Sequence, residues 1–163
     1  MGYGFRGGHN LFRGVTALTL DAKGRMAMPA RYRDLLLERT GGNLVITIHT
    51  DDPCLWIYPQ PEWEEIEAKI AALPAFNPAT TKLRRLLVGY ATDTEMDGAG
   101  RILLAPALRE YAGLERKLVL VGQGKKFELW DEERWNAQRD QMLAEGVFRG
   151  GEALAPELQS LVL

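Results

Sequence analysis

The segment DAKGRMAMPARYRDLLLERTGG, residues 21–42, and the segment DGAGRILLAPALREYAGL, residues 97–114, are two versions of one text. Each begins with an aspartate, closes a five-residue turn with Gly-Arg and runs through a short apolar stretch. Each then reaches Pro-Ala at the head of a helical pattern and stops at a glycine, Gly41 or Gly113. Proline in the first helical turn and glycine just past the last is the usual asymmetry of a helix. Asp21 and Asp97 are 76 positions apart, and Pro29 and Pro106 are 77 apart, so the second copy reads as holding one extra residue before its proline.

The likeness continues outward. LVITI (44–48) and LVLV (118–121) are β-branched runs of strand length. LWIYPQPEW (55–63) and FELWDEERW (127–135) follow, and each sets an aromatic five positions before a tryptophan: Tyr58 with Trp63, Trp130 with Trp135. The offset there is 72, which places four additional residues in the first copy, in loop-like text such as HTDDPC (49–54). Landmarks in the same order define an internal duplication. Two copies are too few for a solenoid. A unit of about 45 residues is marginal alone, so the expectation is an α+β pair related by a pseudo-twofold axis, each half burying the other's apolar face.

Between the copies, NPATTKLRRLLVGYATDTEM (77–96) predicts a connecting helix. Asn77 caps it, Pro78 takes the first turn, and Leu83, Leu86 and Leu87 form an apolar stripe. Its basic KLRR (82–85) reads as a solvated face or as part of a partner surface. Residues 1–10, MGYGFRGGHN, have no counterpart in the second copy; four glycines in ten read as a disordered or non-native extension.

The 163 residues suit one domain or two small halves. Apolar residues make up 46% and charged residues 26%, an ordinary globular composition. No apolar run is long enough to span a membrane, and no apolar segment beside a cleavage site marks a secretory signal. The single cysteine, Cys54, permits no internal disulfide, so the cytoplasm is expected. Net charge is −2, which by itself argues against nucleic acid. The charges cluster along the chain, however, and leave room for a local basic surface: acids gather in EWEEIE (62–67) and DEERW (131–135), bases in RYR (31–33), KLRR (82–85) and GKK (124–126).

Each Asp-x-x-Gly-Arg turn lies between strand-like runs, GVTALTL and MAM in the first copy, and so predicts a hairpin connection. Glycine supplies positive φ and aspartate bonds downstream amides. The arginine has two readings, which are compatible. It pairs with its aspartate and pins the turn, or it projects its planar fork toward a phosphate or a guanine edge.

Enzymatic readings find no support. Ser160 is the only serine and lies in the tail. GQGK (122–125) lacks the helix and Lys-Ser/Thr ending of a phosphate loop, and predicts a hairpin turn. His9 and His49 show no metal-ligand spacing. The four tryptophans read as packing residues rather than as a stacking platform.

LFRGVTALTLDAKGRMAMPARYRDLL (11–36), DGAGRILLAPALREYAGL (97–114) and LVGQGKKFELWDEERW (120–135) together resemble the bacterial MraZ family, over about Leu11 to Leu143. The resemblance implies tandem AbrB-like (SpoVT-AbrB) repeats that interlock as swapped hairpins into a β-barrel with flanking helices. They correspond to residues 15–62 and 93–138, joined by connecting helices over 63–92 and followed by a helix end and tail over 139–163. It implies a nucleoid-associated transcriptional regulator of the division and cell-wall gene cluster, acting at its own promoter, reading short repeated G-rich boxes in double-stranded DNA as a ring-like homo-oligomer. Carried over, Arg25, Arg101 and Lys23 are the DNA contacts, while Asp21, Gly24, Asp97 and Gly100 shape the turns. Ala99 stands where the first copy has Lys23, so unequal contacts are expected. No cofactor, metal, membrane or small-molecule substrate is implied. The rival is an antitoxin-like module of the same fold that spends its surface on a protein partner.

Overall fold

The computed structural model describes residues 11–149 and 154–163, so the expectation for residues 1–10 lies outside the described residues. The chain divides near Glu132 into two compact units. The first holds β1 (Phe12–Thr19), β2 (Arg25–Ala27), α1 (Ala30–Thr40), β3 (Asn43–Ile48), β4 (Leu55–Pro59) and α2 (Gln60–Ala71). It continues through α3 (Pro78–Leu83), which runs into a π-helical turn (Arg84–Val88), then β5 (Thr92–Glu95), β6 (Arg101–Leu103), α4 (Pro106–Ala112), β7 (Lys117–Gly124) and β8 (Phe127–Asp131). The second carries α5 (Glu132–Glu145) and the short α6 (Pro156–Gln159), neither with a buried side chain.

The halves exchange strands. β3 and β4 form a hairpin within the first repeat, and β7 and β8 one within the second. The opening strands cross over: β1 pairs with β7, Leu18 opposite Leu118, and β5 pairs with β3, Thr94 opposite Leu44. β2 pairs with β6 around Met26 and Ile102, and β4 pairs with β8 around Trp56 and Glu128. Both central pairs join equivalent residues of the two copies, so the pseudo-twofold axis passes through them.

This corrects the hairpin reading of the two turns. β1 and β2 flank the first turn but belong to different ladders, because each finds its partner in the other repeat. The antiparallel α+β class holds. In place of the barrel that the resemblance implies, the hydrogen bonds give a six-stranded sheet ending in β1 and β5, and a separate two-stranded ribbon of β2 and β6.

Sheet and ribbon share one core. Met26, Leu36, Ile46 and Ile57 from one half meet Ile102, Leu104, Leu120 and Leu129 from the other, all fully buried. Phe12 stacks on Phe127 with centroids 4.2 Å apart. Strand β3 is apolar at nearly every position because its second face covers a smaller cluster of Val45, Tyr58, Trp63, Ile70 and Leu87.

Three local readings change. Pro29 is the N-cap of α1, whereas Pro106 is the first residue of α4, whose cap is Ala105. The structural offset therefore stays at 76 and no residue is inserted. The fall to 72 is already complete across the first helix, because α1 has 11 residues against 7 in α4 and the C-caps Gly41 and Gly113 stand 72 apart. Asn77 does cap α3, accepting the Ala79 amide at 2.9 Å, but the leucine stripe splits. The π-turn adds a residue, so Leu87 and Leu83 join the smaller cluster while Leu86 packs on the main core.

Candidate nucleic-acid interface

Each Asp-x-x-Gly-Arg turn folds on itself. Asp21 N–H donates to the Arg25 carbonyl (2.9 Å) and Gly24 N–H to the Asp21 carbonyl (3.0 Å). The Asp21 side chain closes the rest: Oδ1 accepts the amides of Lys23 and Arg25, and Oδ2 accepts Arg25 Nε, all at 2.9 Å. The second turn repeats every bond with Asp97, Ala99 and Arg101, again at 2.9 Å. Gly24 and Gly100 hold φ of +82° and +76°, the left-handed conformation that this closure needs.

The bonding sets the electrostatics. The Arg25 amide leads the effects that hold the Asp21 carboxyl below its ordinary value of 3.8, aided by the Arg25 guanidinium and the Lys23 amide. The Arg101 amide leads at Asp97 in the same direction, with Ala99 and the Arg101 side chain adding to it. A carboxylate kept ionised fixes its arginine through Nε alone. Among the described residues the terminal Nη atoms of Arg25 and Arg101 make no hydrogen bond.

Strand alternation then gathers the two arginines. Met26 and Ile102 point into the core, so Arg25, Ala27, Arg101 and Leu103 share the outer face of the ribbon. Arg25 pairs with Leu103 and Arg101 with Ala27, which makes the arginines diagonal neighbours, roughly 7–8 Å apart at the backbone. Their side chains stay 26% and 40% exposed. Lys23 is exposed at one turn, and Ala99 takes its place at the other.

A second pair of arginines braces the turns crosswise. Arg33 of the first repeat covers Gly100 of the second and donates Nη2 to the Met28 carbonyl at 3.0 Å. Arg109 of the second covers Gly24 of the first and donates Nε to the Leu104 carbonyl at 3.1 Å. Backbone bonds cross in the same sense, from Leu104 N–H to the Gly24 carbonyl and from Met28 N–H to the Gly100 carbonyl. Among the described residues, Arg33 Nε is buried without a hydrogen-bond partner. Arg33 belongs to the RYR cluster noted in the sequence. Arg109 is not marked by the sequence repeat, because alignment on the prolines matches Arg33 with Glu110, whereas the structural offset of 76 matches it with Arg109.

The other candidates have structural surroundings. His49 Nδ1 accepts the amides of Asp51 and Asp52, both at 3.0 Å. Cys54 is buried, and that burial pushes its thiol well above the ordinary range. Trp63 and Trp130 are buried. Among the described residues, no cluster of His, Cys, Asp or Glu is placed to hold a metal ion, and no helix is long and apolar enough to cross a membrane.

Fold and site together define a class: an internally duplicated, strand-exchanged α+β protein with twin aspartate-locked arginines on a two-stranded ribbon. The family described as "MraZ protein, putative antitoxin-like" matches residues 11–86 and again 87–155. A relative from Pseudomonas aeruginosa named "Transcriptional regulator MraZ" is 54% identical over 153 residues, 94% of this chain and all of the relative. Relatives of the same name from Coxiella burnetii (51%, the same coverage) and Saccharophagus degradans (58% over 127 residues, 78% of this chain and 86% of the relative) agree. The chain belongs to the MraZ family.

Proposed function

We propose that this chain is a transcriptional regulator that binds double-stranded promoter DNA through the outer face of the β2–β6 ribbon. The observation that carries the reading is the pairing of Arg25 and Arg101 on that face, each locked through Nε with its terminal nitrogens uncommitted. A two-stranded ribbon fits a major groove, and an arginine fork suits guanine O6 and N7 or a phosphate. Lys23 adds a phosphate contact at one turn only. Asp21, Gly24, Asp97 and Gly100 shape the two turns, and Arg33 and Arg109 stiffen them and add positive charge beside the ribbon. The names of the relatives, transcriptional regulators, favour this role over a DNA-independent antitoxin-like module and over any enzymatic one.

The finer reading follows the family resemblance. The targets are short repeated G-rich boxes in the promoter of the division and cell-wall gene cluster, including the chain's own gene, and the protein acts in the cytoplasm at the nucleoid. It has two AbrB-like repeats whose sheet and ribbon wrap one core in the manner of a barrel, with boundaries at 15–62 and 93–138, the helices of 63–92 between them and the tail of 139–163 beyond. Recognition uses a ring-like homo-oligomer. The two motif arginines and single motif lysine of each chain, on a molecule of net charge −2, offer thin phosphate neutralisation, and several copies on spaced boxes gain avidity of about 10²–10⁴. The test is a gel-shift titration of the full chain against its own upstream DNA with one, two and three boxes. Affinity rises steeply with box number if the reading holds. Absence of any specific shift overturns it.

A further inference from the structure

The outer face of the β2–β6 ribbon departs from the pseudo-twofold at one position. The two strands match at an offset of 76, which sets Arg25 against Arg101 and Ala27 against Leu103. Leu103 is 57% exposed, while Ile102 and Leu104 on either side of it are fully buried. A single exposed leucine is ordinary on a protein surface. Here the duplication supplies its own control: Ala27 holds the equivalent place in the same ladder, so a strand of this ribbon forms without a leucine there.

Register locates the difference. The ladder is antiparallel, so the start of β2 lies beside the end of β6, and Leu103 pairs with Arg25. One end of the ribbon therefore carries Lys23, Arg25 and Leu103, and the other carries Ala99, Arg101 and Ala27. The extra charge and the extra apolar bulk fall at the same end, beside an arginine whose terminal nitrogens are uncommitted. A ribbon that lies in a major groove turns this face to the base edges. Among the groups displayed there, the one that suits an aliphatic side chain is the 5-methyl of thymine. Side chains directly opposite in a ladder stand about 4.5–5.5 Å apart at Cβ, which is one to two base-pair steps of about 3.4 Å.

We propose that Leu103 is a specificity-determining residue that packs on the methyl of a thymine one or two steps from the guanine contacted by Arg25. Because Ala27 at the far end is too short to make the same contact, the pseudo-symmetric ribbon reads each box in one direction. The proposal rests on the DNA reading above and adds to it a base that the arginines do not recognise.

The experiment is an affinity titration of the full chain on its own upstream DNA. Each thymine of the boxes and their flanks, on either strand, is replaced in turn by deoxyuridine, which deletes the methyl and keeps the pairing. The wild type should lose about fourfold at one position per box, the worth of one buried methyl, and on the same side of the guanines in every box. Leu103→Ala, at an exposed position, should keep the wild-type melting temperature, bind unmodified DNA more weakly and lose nothing further on deoxyuridine at that position. An equal loss in wild type and Leu103→Ala overturns the proposal. So does specific binding that no deoxyuridine weakens, or equal losses on both sides of the guanines. Those results leave the DNA reading standing, whereas absence of specific binding to the unmodified DNA overturns both.

Discussion

Arg33 of the first repeat lies directly over Gly100 of the second: a Cβ at Gly100 would fall 2.1 Å from Arg33 Nε. The mirrored pair is looser, with a Cβ at Gly24 falling 3.0 Å from Arg109 Cζ. Each turn is therefore held by its own aspartate and roofed by an arginine from the opposite repeat.

Gly100→Ala is expected to destabilise the fold more than Gly24→Ala. Both positions need left-handed φ, at about 1–2 kcal/mol for a side-chain-bearing residue. At Gly100 the new methyl also displaces the guanidinium root of Arg33, whose Nε is buried. Thermal melts of the two variants give the order, and an equal loss would show that Arg33 yields freely.

Arg25→Ala and Arg101→Ala are expected to leave the melting temperature nearly unchanged and to lower specific DNA affinity. One good bidentate base contact is worth about 1–3 kcal/mol. Parallel melts and DNA titrations decide it. A lowered melting point with intact affinity would mean that the ion pairs serve only the turns.

Lys23→Ala is expected to weaken binding to all sequences alike and to flatten its salt dependence, because Lys23 is exposed beside the first turn and Ala99 offers no charge at the second. Removing one phosphate contact changes the log–log slope by about 0.9. A slope equal to wild type would place Lys23 off the phosphate surface.

The parts of the molecule legible in the sequence are those with local causes. The Asp-x-x-Gly-Arg turns, the Asn77 cap and the strands through Leu44–Ile48 and Leu118–Val121 each follow from residues within a few positions. The strand exchange is not local. The alternation of β1 shows that one face is buried, but nothing in it names β7, a hundred residues on, as its partner. Arg109 was hidden by a proline that occupies the cap in one copy and the first turn in the other. The placing of Leu86 on the main core is not legible in the sequence, because periodicity assumes 3.6 residues per turn and the π-turn at Arg84–Val88 breaks that count.

Acid should loosen both turns together. The folded turn holds Asp21 and Asp97 below the ordinary aspartate value of 3.8, so in the open chain these groups protonate first as pH falls. Their contribution to stability is complete above that ordinary value and is lost as pH drops through the lowered one. Melting temperature across acidic pH should fall less steeply in Asp21→Asn/Asp97→Asn than in wild type. Parallel curves would assign the acid sensitivity to other carboxylates.

Thr47 tests the junction between sheet and connecting helix. It is fully buried in β3, and its Oγ1 donates to the Leu87 carbonyl at 2.6 Å. That carbonyl lies in the π-turn, where Gly89 N–H reaches back to Arg84, so the hydroxyl anchors this part of the turn to the sheet. Thr47→Val keeps the shape and removes the donor. The expected cost is about 1–3 kcal/mol, that of a buried acceptor left unsatisfied, together with faster amide exchange at Gly89 and Tyr90. Thr47→Ser retains the hydroxyl and should recover most of the protection. If Thr47→Val melts with wild type, the π-turn holds its place by the packing of Leu83 and Leu87 alone.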